Sequence, residues 1–177
     1  MRIIAGKHKK RVIEMVGSKE TRETSDKVRG AIFNMIGQKP LGVCLDLFAG
    51  SGAYGLEALS RGAEKVYFID HQKKAIETIK ANIKTLGEEE NASLFLSAYQ
   101  VFIKHLSKDV LFDTVFIDPP YEMTNYMDII ITFAEHLNDD AMIIIESSKK
   151  VHMPDSCMQF LKIKEKTYGI KKVSIYK

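Results

Sequence analysis

From residue 42 onward the chain alternates short continuous apolar runs with stretches whose apolar residues recur at helical spacing. "GVCLDLF", "KVYFID", "ASLFLS", "FDTVFI" and "AMIIIE" are the runs, and each has the length and β-branched or aromatic content of a buried strand. Between them, "YGLEALSRG" and "HQKKAIETIKANIKTLG" read as helices closed by Gly62 and Gly87, and "YQVFIKHL" and "NYMDIIITFAEHL" as two more. Strands that are apolar on both faces and separated by helices predict a parallel sheet covered on both sides. The tail, "FLKIKEKTYGIKKVSIYK", alternates around Tyr168 and Gly169 and predicts a closing antiparallel pair. The fold class expected is therefore α/β, with a mostly parallel, seven-stranded sheet and an antiparallel C-terminal strand.

The first forty residues follow another pattern. "RIIAGKHKKRVIEMV" (2–16) predicts two short strands around a basic turn, a small β-hairpin. "TSDKVRGAIFNMIG" (24–37) predicts a helix with Thr24 and Ser25 as N-cap candidates and Gly37 as its stop. Pro40 marks the change of character, so the division expected is an N-terminal hairpin and helix over 1–40 and a main domain over 41–177.

Composition adds a limit and a polarity. At 45% hydrophobic and 28% charged residues, the chain has the make-up of a globular protein. No apolar run is long enough to span a bilayer, and "MRIIAGKHKK" lacks a signal-peptide core, so a cytoplasmic location is expected. Cys44 and Cys157 have no C-x-x-C spacing, and the histidines have no ligand spacing, so no metal is expected. The net charge of +3 conceals an uneven distribution. Residues 1–40 hold ten Lys/Arg against four Asp/Glu, and 160–177 hold six against one, whereas 41–159 hold ten against eighteen. Basic ends on an acidic body suggest a polyanion as partner, with Lys7, Lys9, Lys10 and Arg11 in the turn as its first candidates.

"LDLFAGSGAYGLEAL" lies where an α/β sheet takes its ligands, between the end of the first parallel strand and a helix. Gly50, Gly52 and Gly55 form G-x-G-x-x-G, a pattern that by itself suits a nicotinamide dinucleotide equally well. Asp46 precedes the loop, where a carboxylate could receive an ammonium group. Asp70 ends the second strand, where a carboxylate can accept both hydroxyls of a ribose or merely cap the next helix. Together with Phe48 and Ala49 of the D-x-F-A-G-S-G stretch, these residues look like the S-adenosylmethionine site of Rossmann-like methyltransferases.

The fourth strand stops at "DPPY" (118–121), because neither proline has an N–H to continue a ladder. A rigid stop suits a particular chemistry. The exocyclic amine of a nucleobase is a poor nucleophile while its lone pair is delocalised into the ring. Two fixed acceptors for its N–H groups favour a tetrahedral nitrogen and aim the lone pair. The Asp118 carboxylate can be one acceptor and the Pro119 carbonyl, restricted by Pro120, the other. Tyr121 can stack on the base.

With both motifs in view, the chain resembles the bacterial family of small-subunit (16S) ribosomal RNA guanine-N2 methyltransferases, methyltransferase D. The resemblance runs through "MRIIAGKHKKR", "TRETSDKVRGAIFNMIG", "LDLFAGSGAYGLEALSRGA" and "FDTVFIDPPY". It implies methyl transfer from S-adenosylmethionine to N2 of a guanosine in 16S ribosomal RNA. It implies as substrate an assembled or partly assembled small subunit, and action as a monomer. It also makes Arg22, Thr24, Ser25 and Arg29 candidate RNA contacts. A DNA or RNA adenine-N6 or cytosine-N4 methyltransferase shares the chemistry and is the alternative. Two positions depart from the family pattern: Glu23 stands where a proline is usual, and Ser97 where an Asp usually faces the adenine.

Overall fold

The computed structural model describes residues 1–17, 26–120 and 123–177. Its parallel strands are β1 (Val43–Leu47), β2 (Lys65–Asp70), β3 (Ala92–Leu96), β4 (Phe112–Ile117) and β5 (Leu137–Ser148). The helices are α1 (Asp26–Ile36), α2 (Ala53–Ser60), α3 (Lys73–Leu86), α4 (Tyr99–His105) and α5 (Tyr126–Phe133). Beyond them, β6 (Ser156–Cys157), β7 (Phe160–Tyr168) and β8 (Lys171–Tyr176) close the sheet in antiparallel fashion, giving the order β3-β2-β1-β4-β5-β8-β7-β6. The eighth strand is the one addition to the expected seven. At two residues, β6 is too short to leave a periodic trace.

Alternating side chains divide the sheet between two cores. Cys44, Val66, Phe68, Phe116, Ile144 and Val173 meet Ile32 and Phe33 of α1, Leu56 and Leu59 of α2, and Ile79 and Ile83 of α3. Leu45, Ile69, Val115, Ile117, Ile143 and Tyr176 meet Tyr99 and Phe102 of α4 and Ile129, Ile130 and Phe133 of α5. Gly55 is needed for the first packing: a Cβ there would lie 2.2 Å from a Phe68 ring carbon. One expected helix is shorter than its pattern. After Phe133 the chain tightens into a 3₁₀ turn, Ala134–His136, and β5 already begins at Leu137. His136 Nδ1, 2.8 Å from the Val110 carbonyl, holds that change of direction.

The expected N-terminal hairpin is present only in outline. Its two arms share one antiparallel bridge, Arg2 with Val12, and lack strand ladders. Across the arms, the N–H groups of Ile3 and Ile13 donate to the Arg11 and Met1 carbonyls at 2.9 and 3.0 Å, and the next donors of the first arm turn to α2 instead. The N–H groups of Ile4 and Ala5 donate to the two carboxylate oxygens of Glu57 at 2.8 and 3.0 Å. Those of Lys7 and His8 donate to the carbonyl and hydroxyl of Ser60 at 2.8 and 3.0 Å. Ile3 and Ile13 meanwhile join the first core. The turn is thus docked on the C-terminal end of α2. Residues 14–17 then run back along α3, where Asn82 accepts from the N–H of Glu14 and donates to its carbonyl.

Glu57 is fully buried, and Arg61 Nε donates to it at 2.7 Å while Arg29 Nε lies 3.6 Å away. Removing one partner from a buried charged cluster strands the others. Glu57→Ala is accordingly expected to lower stability by about 3–5 kcal/mol, read as a fall in the urea midpoint. Glu57→Gln, which keeps one acceptor oxygen and the volume of the side chain, should lose less.

Candidate active site

The register sets the site. Leu47 pairs with Ile69 on one side and with Ile117 on the other, and Asp70 pairs with Leu96. The strands therefore end nearly flush, so Phe48, Asp70 and Asp118 stand in one row at their C-terminal edge, with Ser97 one residue beyond it. Between β1 and β4 the chain order reverses, the place where open α/β sheets form a crevice.

The loop leaving β1 is held by the row itself. Ala49 N–H donates to the Ile69 carbonyl at 3.0 Å, and Gly50 N–H to Asp70 Oδ2 at 2.9 Å. Gly52, at φ 79°, donates to the Ala49 carbonyl at 2.7 Å and opens α2. Phe48 takes the left-handed region as well, at φ 63°, which costs a non-glycine residue roughly 1–2 kcal/mol. Its ring meets Tyr99 edge-on at 5.7 Å. Of the two roles open to Asp70 in the sequence, the structure shows the one at the start of α3, and adds a hold on the loop. While Oδ2 holds the loop, Oδ1 accepts the N–H of Gln72 at 2.8 Å and steadies the start of α3. Each oxygen retains a second lone pair for a ligand. Ser97, half-buried, donates its N–H to the Asp70 carbonyl at 2.9 Å, and its hydroxyl faces the Ala98 carbonyl.

Asp46 is buried beneath the loop, and its Oδ2 accepts the Gly55 N–H at 2.8 Å. Burial pushes its carboxyl well above the usual carboxylate range; the Gly55 hydrogen bond opposes this, and the charges of Asp118 and Asp70 add to it. Asp70 and Asp118 thus stand at the strand edge with the Asp46 carboxyl beneath them. Asp118 is half-buried, Pro119 buried and Pro120 exposed, and the Pro120 carbonyl accepts the Met123 N–H at 3.0 Å. Tyr121 lies outside the described residues, as do Arg22, Thr24 and Ser25.

The basic candidates are placed elsewhere. Lys9 and Lys10 are exposed, Lys7 Nζ reaches Glu88 at 2.7 Å, and Arg11 Nη2 donates to the Thr85 carbonyl at 2.8 Å. These contacts fix the turn at the C-terminal ends of α2 and α3, opposite the cofactor loop. Arg29 corrects the sequence reading. It is fully buried, bonded to Asp26 Oδ1 at 3.0 Å and to the Arg2 carbonyl, so it braces α1 against the N-terminal segment and presents nothing to RNA. Glu146 was missed. Like Asp118 it follows an apolar run at a strand end, a signal present in "MIIIE". Among the described residues no group of His, Cys, Asp and Glu could hold a metal ion, and no helix is long and apolar enough to cross a membrane.

A family model described as conserved hypothetical protein 95 matches residues 1–177. The ribosomal RNA small subunit methyltransferase D of Haemophilus influenzae is 34% identical over 182 residues, covering 99% of this chain and 93% of its own. This chain belongs to the methyltransferase D family. The YlbH protein of Bacillus subtilis is 38% identical over 181 residues, 100% of this chain and 98% of its own. The solved structure of the Escherichia coli yhhF protein superposes with a TM-score of 0.83 at 31% identity, over 99% of this chain and 96% of that one. The family's fold is the Rossmann-like methyltransferase fold.

The buried Asp46 has a measurable signature. Above the ordinary carboxyl pKa and below its own raised value, the folded state holds one more proton than the unfolded state, so stability falls as pH rises through that window. Asp46→Asn keeps an acceptor for Gly55 and removes this loss. The stability gap between variant and parent should therefore widen with pH, by at most about 1.4 kcal/mol per unit, in chemical denaturation of the ligand-free protein. A gap independent of pH would contradict the assignment.

Proposed function

We propose that this protein transfers a methyl group from S-adenosylmethionine to the exocyclic N2 amine of a guanosine in 16S ribosomal RNA. The observation that carries the reading is the single row of Asp70, the glycine loop and Asp118–Pro119 across the crevice between β1 and β4. The donor set fits this cofactor. Asp46 offers its carboxyl oxygens to an ammonium, Asp70 retains acceptor capacity for ribose hydroxyls, and Gly50 and Gly52 keep the loop backbone open. Bound there, the cofactor supplies an electrophilic methyl group. The protein's own part is to hold the amine. Asp118 accepts one N–H and the Pro119 carbonyl the other, which directs the nitrogen lone pair toward the methyl carbon. With the cofactor bound, formation of the N–C bond would release the thioether, and the Asp118 carboxylate would pass the surplus amine proton to solvent. Ser97 contributes a hydroxyl and a backbone group beside the adenine position where relatives of this pattern carry an acid.

Residues 1–40 serve in this reading as the RNA-contacting extension, and the substrate is the folded RNA of an assembled or partly assembled small subunit. Base recognition requires the guanine to leave its stack, at a cost of a few kcal/mol. The protein acts as a cytoplasmic monomer.

The direct test incubates the purified protein and labelled S-adenosylmethionine with small subunits from a strain lacking it. Mass spectrometry of the nucleosides should show N2-methylguanosine; N6-methyladenosine or N4-methylcytidine would overturn the base assignment. Asp118→Ala should abolish transfer while calorimetry shows cofactor affinity nearly unchanged, since the carboxylate acts on the amine.

The basic turn provides a second measurement. Replacing Lys7, Lys9, Lys10 and Arg11 with Gln should make the salt dependence of RNA binding shallower, by up to about 0.7–0.9 log units for each phosphate no longer neutralised. Cofactor affinity should not change, because the turn stands at the far end of α2. An unchanged salt slope would remove the turn from the RNA path.

A further inference from the structure

The glycine loop and the DPPY stop lie on opposite sides of the crevice. The loop is hydrogen-bonded to β1 and β2 through Asp46, Ile69 and Asp70. Asp118 extends β4. Methyl transfer depends on the distance between what these two parts hold, so a link across the crevice matters as much as either part. Tyr54 makes such a link. It stands two residues after Gly52, within the first turn of α2, and is buried. Its ring stacks on Phe116 with centroids 5.3 Å apart and planes 9° from parallel. Phe116 precedes Asp118 by two residues and so shares its face of β4. The Tyr54 hydroxyl donates to Glu146 Oε2 at 2.8 Å. Glu146 follows Ile145, the partner of Ile117, so it stands beside Asp118 in the next strand. Lys171, the first residue of β8, donates its ammonium to the other Glu146 oxygen.

We propose that Tyr54, Glu146 and Lys171 form a strut that sets the spacing between the cofactor loop and the amine-holding Asp118, and that they are positioning residues for transfer. The proposal rests on the methyltransferase reading. Its physical basis is cost. Glu146 is 3% exposed, and a carboxylate withdrawn from water is unfavourable by several kcal/mol unless paired and hydrogen-bonded. Its neighbours on that face of the sheet, Ile144 and Val173, are apolar, and a further aliphatic residue would pack there without that cost. What the polar trio adds is direction. A phenol hydrogen bond to a carboxylate fixed from its other side by an ammonium holds α2 at one distance and angle from β5. Dispersion contacts alone do not specify that arrangement. The stacked ring carries the same constraint to β4.

The test uses Tyr54→Phe, which keeps the stack on Phe116 and removes the hydroxyl. With small subunits as substrate, kcat should fall about tenfold while KM for S-adenosylmethionine and for the subunit stays at the parent values, the pattern of lost alignment. Glu146→Gln, which keeps an acceptor for Tyr54 but not the charge for Lys171, should move kcat in the same direction. Hydrogen exchange adds a readout independent of the substrate: amides of residues 50–56 should exchange faster in Tyr54→Phe, with those of β2 and α3 unchanged. A parent-like kcat, a loss confined to KM for S-adenosylmethionine, or unchanged loop exchange would each overturn the strut. Failure of the parent protein to methylate any subunit would instead overturn the functional reading, and loop exchange would still judge the strut.

Discussion

Parallel pairing obliges neighbouring strands to end on the same side, and here the register makes four of them end level. Leu47 lies between Ile69 and Ile117, and every residue that follows inherits that alignment. Asp70 can reach the Gly50 amide only because β2 stops level with β1. Asp118 can influence the Asp46 carboxyl only because β4 does the same. A slip of one residue in any of these pairings would turn the side chains of Asp70 and Asp118 to the other face. The apolar residues on both faces of the strands oppose such a slip, because each would then enter the wrong core. Packing deep in the sheet thus protects chemistry at its edge.

The fold also commits buried charge to holding the N-terminal segment. Glu57 accepts from two backbone amides and from Arg61, and Glu88, 1% exposed, takes Lys7 and His8. Hydrogen bonds to Lys7, His8 and Asn91 hold the Glu88 carboxyl below its ordinary pKa, outweighing the opposing effect of burial. Such pairs contribute less to net stability than to geometry. What they secure is a basic turn held in one shape against α2 and the segment after α3.

Much of this was legible in the chain itself, for identifiable reasons. Runs such as "KVYFID" and "FDTVFI" announce buried strands because both faces are covered, and the acids that close them, Asp70 and Asp118, mark the edge. The family resemblance carried the reading from fold to substrate. What the sequence concealed were partnerships between distant residues. Nothing near Ile4 or Ala5 shows that their amides will be taken by a glutamate some fifty positions away, so the arms look like strands. Arg29 looks exposed because arginines usually are, and its burial becomes evident only with Glu57 and Asp26 beside it. Tyr54 falls among glycines and alanines as an apparent packing residue, and its hydroxyl acquires a role only when β5 and β8 bring Glu146 and Lys171 together.

Helix α3 joins the two parts of the molecule that the proposed function gives to cofactor and RNA. Asp70 and the cofactor loop adjoin its first turn, and Arg11 grips its last at Thr85. Its 14 residues measure on the order of 21 Å. The helix is therefore a ruler, with a reactive crevice at one mark and a cluster of positive charge at the other. A ligand that registers with both marks must itself be rigid over that length. On the function proposed above, a short flexible strand would satisfy one mark or the other, whereas a folded helix of ribosomal RNA would meet both. Selection for a shaped substrate would then be built into the length of a helix.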